Sequence, residues 1–234
     1  MHTHSKIIIL STVKYADSDL IVKCFSEKLG KLTFLVKGAR KSGKKKTGMS
    51  YFLPFNILWA TFQYRENKNL LYFKELNIDF PLSNIHQNIS KSSVVLLLTE
   101  VVENSIQEQE VNENMFNYLE NSIYWLDNHS KTQNFHIAFL IGFSKYLGIF
   151  PKLHFIHESI EKNMYDNNLN TSNQSLAKLE YILENDIGIT NGHQFQIKKR
   201  EKIEILNALL IYYRSMIPNF RIPKSYAVVR DIFA

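Results

Sequence analysis

Five short runs rich in Ile, Val, Leu, Thr and aromatic residues fill the first eighty positions, with turn chemistry between them and no helical period. They are KIIILSTVKY (6–15), LIVKCFSE (20–27), KLTFLVKG (31–38), FNILWATFQY (55–64) and NLLYFKELNI (69–78). Such residues suit a pleated surface that is buried on one side. ADSD (16–19), EKLGK (27–31), a basic stretch and RENKN (65–69) separate them. EKLGK puts Gly30 where a tight hairpin needs a residue tolerant of positive φ. Five strands with no intervening helix leave room for a small closed barrel or a sandwich. A five-stranded barrel of the OB type fits both the count and the length.

From residue 83 the apolar period becomes helical. Ser83 and Asn84 follow Pro81 as a cap. Phe116, Leu119, Ile123 and Leu126 recur at helical spacing, as do Phe135, Ala138, Phe139, Gly142, Phe143, Tyr146 and Leu147. That second helix should end near Gly148, with Pro151 beyond it. Ile203, Leu206, Leu210, Tyr213 and Ile217 mark a third, and a short helix is expected after Pro223. Residues 154–197 read as irregular: 157–175 are polar and Asn-rich, 163–174 read as loop, and QSLAKLEYILEN (174–185) as a short helix. The expected fold is therefore α+β in two domains: an OB-fold barrel over 1–80 and an all-α helical bundle over 81–234.

Charge divides the chain at the same place. Residues 1–80 carry 14 Lys+Arg against 6 Asp+Glu, a net +8, while residues 81–234 carry 14 against 16, a net −2. The centre of the excess is KGARKSGKKK, where Lys37, Arg40, Lys41, Lys44, Lys45 and Lys46 stand with no acidic residue among them. Cations on one loop repel unless an anion sits between them. A polyphosphate backbone is the commonest such partner, because each neutralised phosphate releases counterions. The plainer alternative is a solvated loop kept basic for solubility.

Aromatic residues flank the basic loop: Phe34 before it, then Tyr51, Phe52, Phe55, Trp59, Phe62 and Tyr64. Bases stack on such faces in non-specific single-strand binders. Strand alternation assigns Phe34, Phe55 and Trp59 to the barrel interior and leaves Tyr51 as the stacking candidate.

Several chemistries find no support. A hydrophobic share of 45% is enough for a packed core and argues against disorder. The single Cys24 excludes an internal disulfide and Cys-rich zinc sites, and its alternation with Leu20 and Val22 makes it a buried strand thiol. Gly38, Gly43 and Lys44 imitate a nucleotide-binding loop, yet Lys45 occupies the position of its Ser or Thr. His154, His157 and His193 lack the carboxylates of a ligand set, and His2 and His4 are uninformative. No GxSxG elbow is present, and Glu108/Glu110 and Asp17/Asp19 read as solvated or turn residues. No catalytic centre is expected, nor an enzyme. The IIIL run is too short to span a membrane, so a cytoplasmic protein without membrane contact is expected, and DNA as the partner of its basic loop would make it nucleoid-associated.

Three stretches carry a family likeness. IILSTVKYADSDLIVKCFSEKLGKLTFLVKGARKSG followed by LPF supplies Tyr15, Asp17, Asp19, Glu27, Gly30, Lys37, Gly38, Ala39, Arg40, Lys41, Leu53, Pro54 and Phe55. YLGIFPKL (146–153) and IPKSYAVVRDIF (222–233) supply the others. The chain resembles the RecO family of bacterial recombination mediators. That resemblance implies an N-terminal OB fold and a C-terminal helical domain. It implies binding of single- and double-stranded DNA, annealing of complementary strands, and loading of recombinase onto strands coated by single-strand-binding protein. The implied partners are RecR, in some members RecF, and the C-terminal tail of single-strand-binding protein. Lys37, Arg40 and Lys41 carry over as DNA contacts, whereas Lys44, Lys45 and Lys46 rest on charge alone. Many members hold a four-cysteine zinc site after the Leu-Gly-x-x-Pro-x-Leu segment. This chain has no cysteine there, so zinc is not expected. Its degenerate, zinc-finger-like segment must instead pack through Phe155, Ile156, Leu176, Leu179 and Ile182. The alternative function is a protein-interaction adaptor whose basic loop serves only solubility.

Overall fold

A computed structural model describes residues 2–40, 48–65, 68–106, 110–163 and 171–233. Five antiparallel strands, β1 (His2–Tyr15), β2 (Asp19–Ser26), β3 (Gly30–Val36), β4 (Ile57–Gln63) and β5 (Phe73–Ile78), lie in the order β3-β2-β1-β4-β5. A parallel bridge between Phe34 and Leu71 ties β3 to the start of β5. The Leu71 amide donates to Thr33 O at 3.0 Å, and the Leu35 amide donates to Leu71 O at 2.9 Å. The sheet thus curls back on itself in the OB manner expected from the five runs.

Alternation fills the interior with Ile7, Ile9, Val22, Cys24, Phe34, Leu58, Ala60 and Phe62, all fully buried. Cys24 sits there as expected, and burial pushes its thiol pKa up. The pairing of β1 with β2 shifts register between Ile9 and Ser11. There the LPF turn fills in: the Phe55 amide donates to Ile9 O at 2.8 Å and the Ile9 amide to Asn56 O at 2.9 Å. Such a bulge bends a long strand so that it can serve both sides of a small barrel.

Within the sheet two assignments differ from expectation. Trp59 points outward, because Leu58 and Ala60 take the interior positions of β4. Its ring stacks on His4 at 4.9 Å and its Nε1 donates to Asp79 Oδ1 at 2.7 Å. His2 and His4, uninformative as sequence, belong to β1, which pairs with β4 back to His2. A cross-strand partner extends the strand beyond its apolar run.

The described residues form two compact units, Met1–Ser83 with Ile106–Ile123, and Asn84–Ser105 with Tyr124–Ala234. In the first, helix α3 (Glu113–Asn128), as far as Ile123, brings Phe116 to 6.1 Å from Phe25, on the barrel's outer face. Lys6 Nζ reaches Glu120 at 2.7 Å and Asp79 at 3.3 Å. Gly30 has φ +69°, and a Cβ there would collide with the main chain of Glu110. The hairpin glycine is therefore required twice, for its turn and for this close approach.

The second unit holds α1 (Ser83–Gln87) from Asn84 on, α2 (Ile89–Ser105), α4 (Phe135–Tyr146), α5 (Leu153–Asn163), α6 (Asn173–Glu184), α7 (Lys199–Met216) and α8 (Tyr226–Phe233). α7 is the central element, and α4, α5, α6 and α8 pack on it. The α4 terminus follows the Leu-Gly-x-x-Pro-x-Leu motif. Gly148 has φ +70°, and the Ile149 amide bonds back to Ser144 O at 3.0 Å, satisfying an end carbonyl. The IPKSY motif starts α8, with Glu100 accepting the Lys224 and Ser225 amides at 2.6 and 3.2 Å. Residues 154–163, expected as irregular, are helical because Ile156 and Ser159 form a buried stripe against α7. Of the five residues expected to replace zinc by packing, Ile156, Leu179 and Ile182 are buried. Leu176 is half-buried, and Phe155 is 40% exposed.

Candidate nucleic-acid interface

The KGAR turn leaves β3 at the barrel's surface, and its shape follows from one carboxylate. Asp19, at the start of β2, accepts the Gly38 amide on Oδ1 at 2.8 Å and the Ser18 hydroxyl at 3.2 Å. The Arg40 amide donates to Ser18 O at 3.0 Å. Gly38 takes φ +65°, a conformation that side chains with a Cβ rarely adopt. Ala39 is buried in the barrel core. The middle of the turn is thus drawn inward, and Lys37 and Arg40, on either side, are exposed. Among the described residues neither has an ion-pair partner. Asp19, which reads as a turn residue in the sequence, is what shapes the site. Because its carboxylate already engages the Gly38 amide, that amide is not available to cradle a phosphate.

Lys41, Lys44, Lys45 and Lys46 lie outside the described residues, as does Gly43. Tyr51 lies in a short 3₁₀ turn, Met49–Phe52, and packs partly buried against the barrel core. Tyr72 does not stand out in the sequence, where its strand reads as one apolar run. It is 49% exposed, and Lys37 Nζ lies 5.7 Å from its ring centroid. Alternation could have found it, since Leu71 and Phe73 on either side face the core.

Phosphates are the anions such a surface fits: an ammonium and a guanidinium group on a fixed turn, with neither held by a neighbouring carboxylate. Among the described residues no group of three His, Cys, Asp or Glu stands close enough to hold a metal ion. His154 instead packs its ring 4.0 Å from Phe155. No described helix is long and apolar enough to cross a membrane.

Comparison with known proteins covers both parts of the chain. Residues 1–79 match the family model for the recombination protein O N terminal, and residues 86–225 match that for its C terminal. The DNA repair protein RecO of Flavobacterium psychrophilum is 32% identical over the full length of both chains. The protein of that name from Bacteroides fragilis is 32% identical over 97% of each, and that from Porphyromonas gingivalis 25% over 98% of each. With both of its halves matched in order and at full length, this chain belongs to the RecO family of DNA repair proteins.

Proposed function

We propose that this chain is a non-enzymatic recombination mediator that binds single- and double-stranded DNA through the basic face of its barrel. It anneals complementary strands and helps load recombinase onto strands coated by single-strand-binding protein. The observation that carries the reading is the KGAR turn, whose buried Gly38 and Ala39 leave Lys37 and Arg40 exposed without an ion-pair partner among the described residues. Lys37, Arg40, Lys41, Lys44, Lys45 and Lys46 hold phosphates with little base preference, and Tyr51 is a secondary contact. Annealing needs the repulsion between two phosphate chains to be screened, and a run of six cations suits that. The barrel is the DNA-binding domain. The helical residues, net −2 beyond residue 80, supply contacts to RecR, to RecF and to the tail of single-strand-binding protein. Zinc takes no part, since the family's cysteine ligands are absent from the sequence.

The test is annealing of two complementary oligonucleotides, each coated with the cognate single-strand-binding protein, with and without this chain and without ATP. Acceleration is expected. No acceleration, with naked DNA still bound, removes the annealing role. Charge reversal at Lys44, Lys45 and Lys46 should weaken binding and flatten its dependence on salt. An unchanged slope would leave the loop as a solubility device and favour an adaptor.

A further inference from the structure

The backbone around Tyr72 is fixed on both sides. Leu71 is tied to β3 by its two hydrogen bonds, at 3.0 and 2.9 Å. Phe73 stacks on Phe34 at 3.9 Å with a 10° tilt between rings. With its neighbours turned inward, Tyr72 must face out, and nearly half of its surface is open. The pairing of β5 with β4 runs Phe62↔Phe73 and then Thr61↔Glu75, so Lys74 is the extra residue of a bulge. Bulges re-aim side chains near barrel rims. Lys37, Tyr72, Phe73, Lys74 and Glu75 line one open groove of about 260 Å³. Glu75 is the carboxylate in that lining.

We infer that Tyr72 is a stacking platform for one unpaired base, with Lys37 and Lys74 taking the flanking phosphates. Lys37 sits over the ring, and a cation on an exposed ring is held weakly. A base that displaces it leaves the ammonium beside the base's own phosphate, so nothing charged is stranded. Tyr51 is the poorer platform because it is packed against the core. The groove's charge, two lysines to one carboxylate, favours a nucleic-acid strand as the occupant. This inference rests on the DNA-binding reading above, and it adds a preference for unpaired bases that phosphate contacts cannot give.

The experiment measures affinity of the full chain for three ligands of equal phosphate number: a short oligothymidine, an abasic strand and a duplex. Tyr72→Ala should weaken oligothymidine binding about tenfold and leave the abasic strand and the duplex unchanged. Tyr72→Phe, which keeps the aromatic face, should bind as the parent does. No loss in Tyr72→Ala, or equal loss on all three ligands, overturns the platform and leaves phosphate binding by the basic turn intact. If the parent binds none of the three, the DNA-binding reading falls as well.

Discussion

The chain contains two basic runs, and the structure uses them in opposite ways. KKREK (198–202), at the start of α7, holds four cations, one more than KGARK (37–41). One of its cations, Arg200, pairs with a carboxylate of the same helix, Glu204, and the run's own carboxylate, Glu201, is held from α6. Glu201 accepts Lys178 Nζ at 2.5 Å and the Lys198 amide at 2.7 Å. Glu204 accepts the Ser172 amide and hydroxyl, the Ser175 hydroxyl and Arg200 Nε, all within 2.5–2.9 Å. Burial by itself would raise the Glu204 pKa. The hydrogen bonds from Ser172, Ser175 and Arg200 outweigh it and hold the carboxyl at about 2. What joins α6 to α7 is the pair of carboxylates, Glu201 bound by Lys178 and Glu204 bound by Ser172 and Ser175. Charge on the barrel turn is displayed: Asp19 is occupied by the backbone, and among the described residues Lys37 and Arg40 have no ion-pair partner. A basic run with carboxylates at helical spacing serves the fold, whereas one without them must find its anions elsewhere.

The contrast between the two runs can be broken most directly at Glu204. Glu204→Ala removes the acceptor of four hydrogen bonds, one of them from the buried Ser175 hydroxyl, and should cost about 2 kcal/mol of stability, read from denaturant unfolding. DNA affinity at temperatures where the variant is folded should not change. The depressed pKa fixes the sign of the pH effect. A carboxyl at about 2 in the folded state, against an ordinary value of 4.5, contributes stability that is fully present above pH 5. That contribution is lost as pH falls from about 5 to about 2. Glu204→Gln should flatten this acid limb, and an unchanged limb would show that Glu204 does not set it.

Gly30→Ala should destabilise the first unit by about 2 kcal/mol, through its positive φ and the collision with Glu110. It tests whether the segment beginning at Ile106 is part of the barrel's packing. A neutral outcome would mean that the segment lifts away at no cost.

On the display side, Lys37→Ala with Arg40→Ala should leave stability unchanged and weaken DNA binding about tenfold. The slope of log affinity on log salt should fall by about 1.5, because two phosphates are no longer neutralised. Lys178→Ala is the matching control in the helical unit, expected to reduce stability without touching the slope. If Lys178→Ala moves the slope as much, the distinction between paired and displayed charge fails.

Asp19→Ala gives the smallest effect and separates the two kinds of charge most finely. Removing an anion beside a basic loop should by simple electrostatics strengthen DNA binding. The structure instead gives Asp19 the task of holding the Gly38 amide. Binding should therefore weaken two- to threefold, with about 1 kcal/mol lost in stability. Stronger binding would show that the turn's shape is immaterial.

Much of this molecule is legible in its sequence because its periods are clear. Five strand runs separated by turn residues, then helical spacing, bound the architecture, and the alternation of Leu20, Val22 and Cys24 places the thiol in the core. The hairpin glycine and the α4 terminus at Gly148 can be read from residue type alone, since few side chains tolerate those conformations. What sequence could not decide was anything that depends on a partner far along the chain. Alternation read without a register assigns Trp59 to the interior, but the pairing of β4 with β1 turns it outward to His4 and Asp79. Residues 154–163 are too polar to read as a helix, and α7 supplies the surface that their few apolar positions need. The same limit applies to the site. Its cations are local in sequence and evident at once. The Asp19 carboxylate that shapes their turn, and Tyr72 beside Lys37, lie 19 and 35 positions from the groups they meet. Composition and period are properties of neighbours in the chain, while a hydrogen bond or a ring contact is a property of neighbours in space, and closure of the barrel made these residues neighbours.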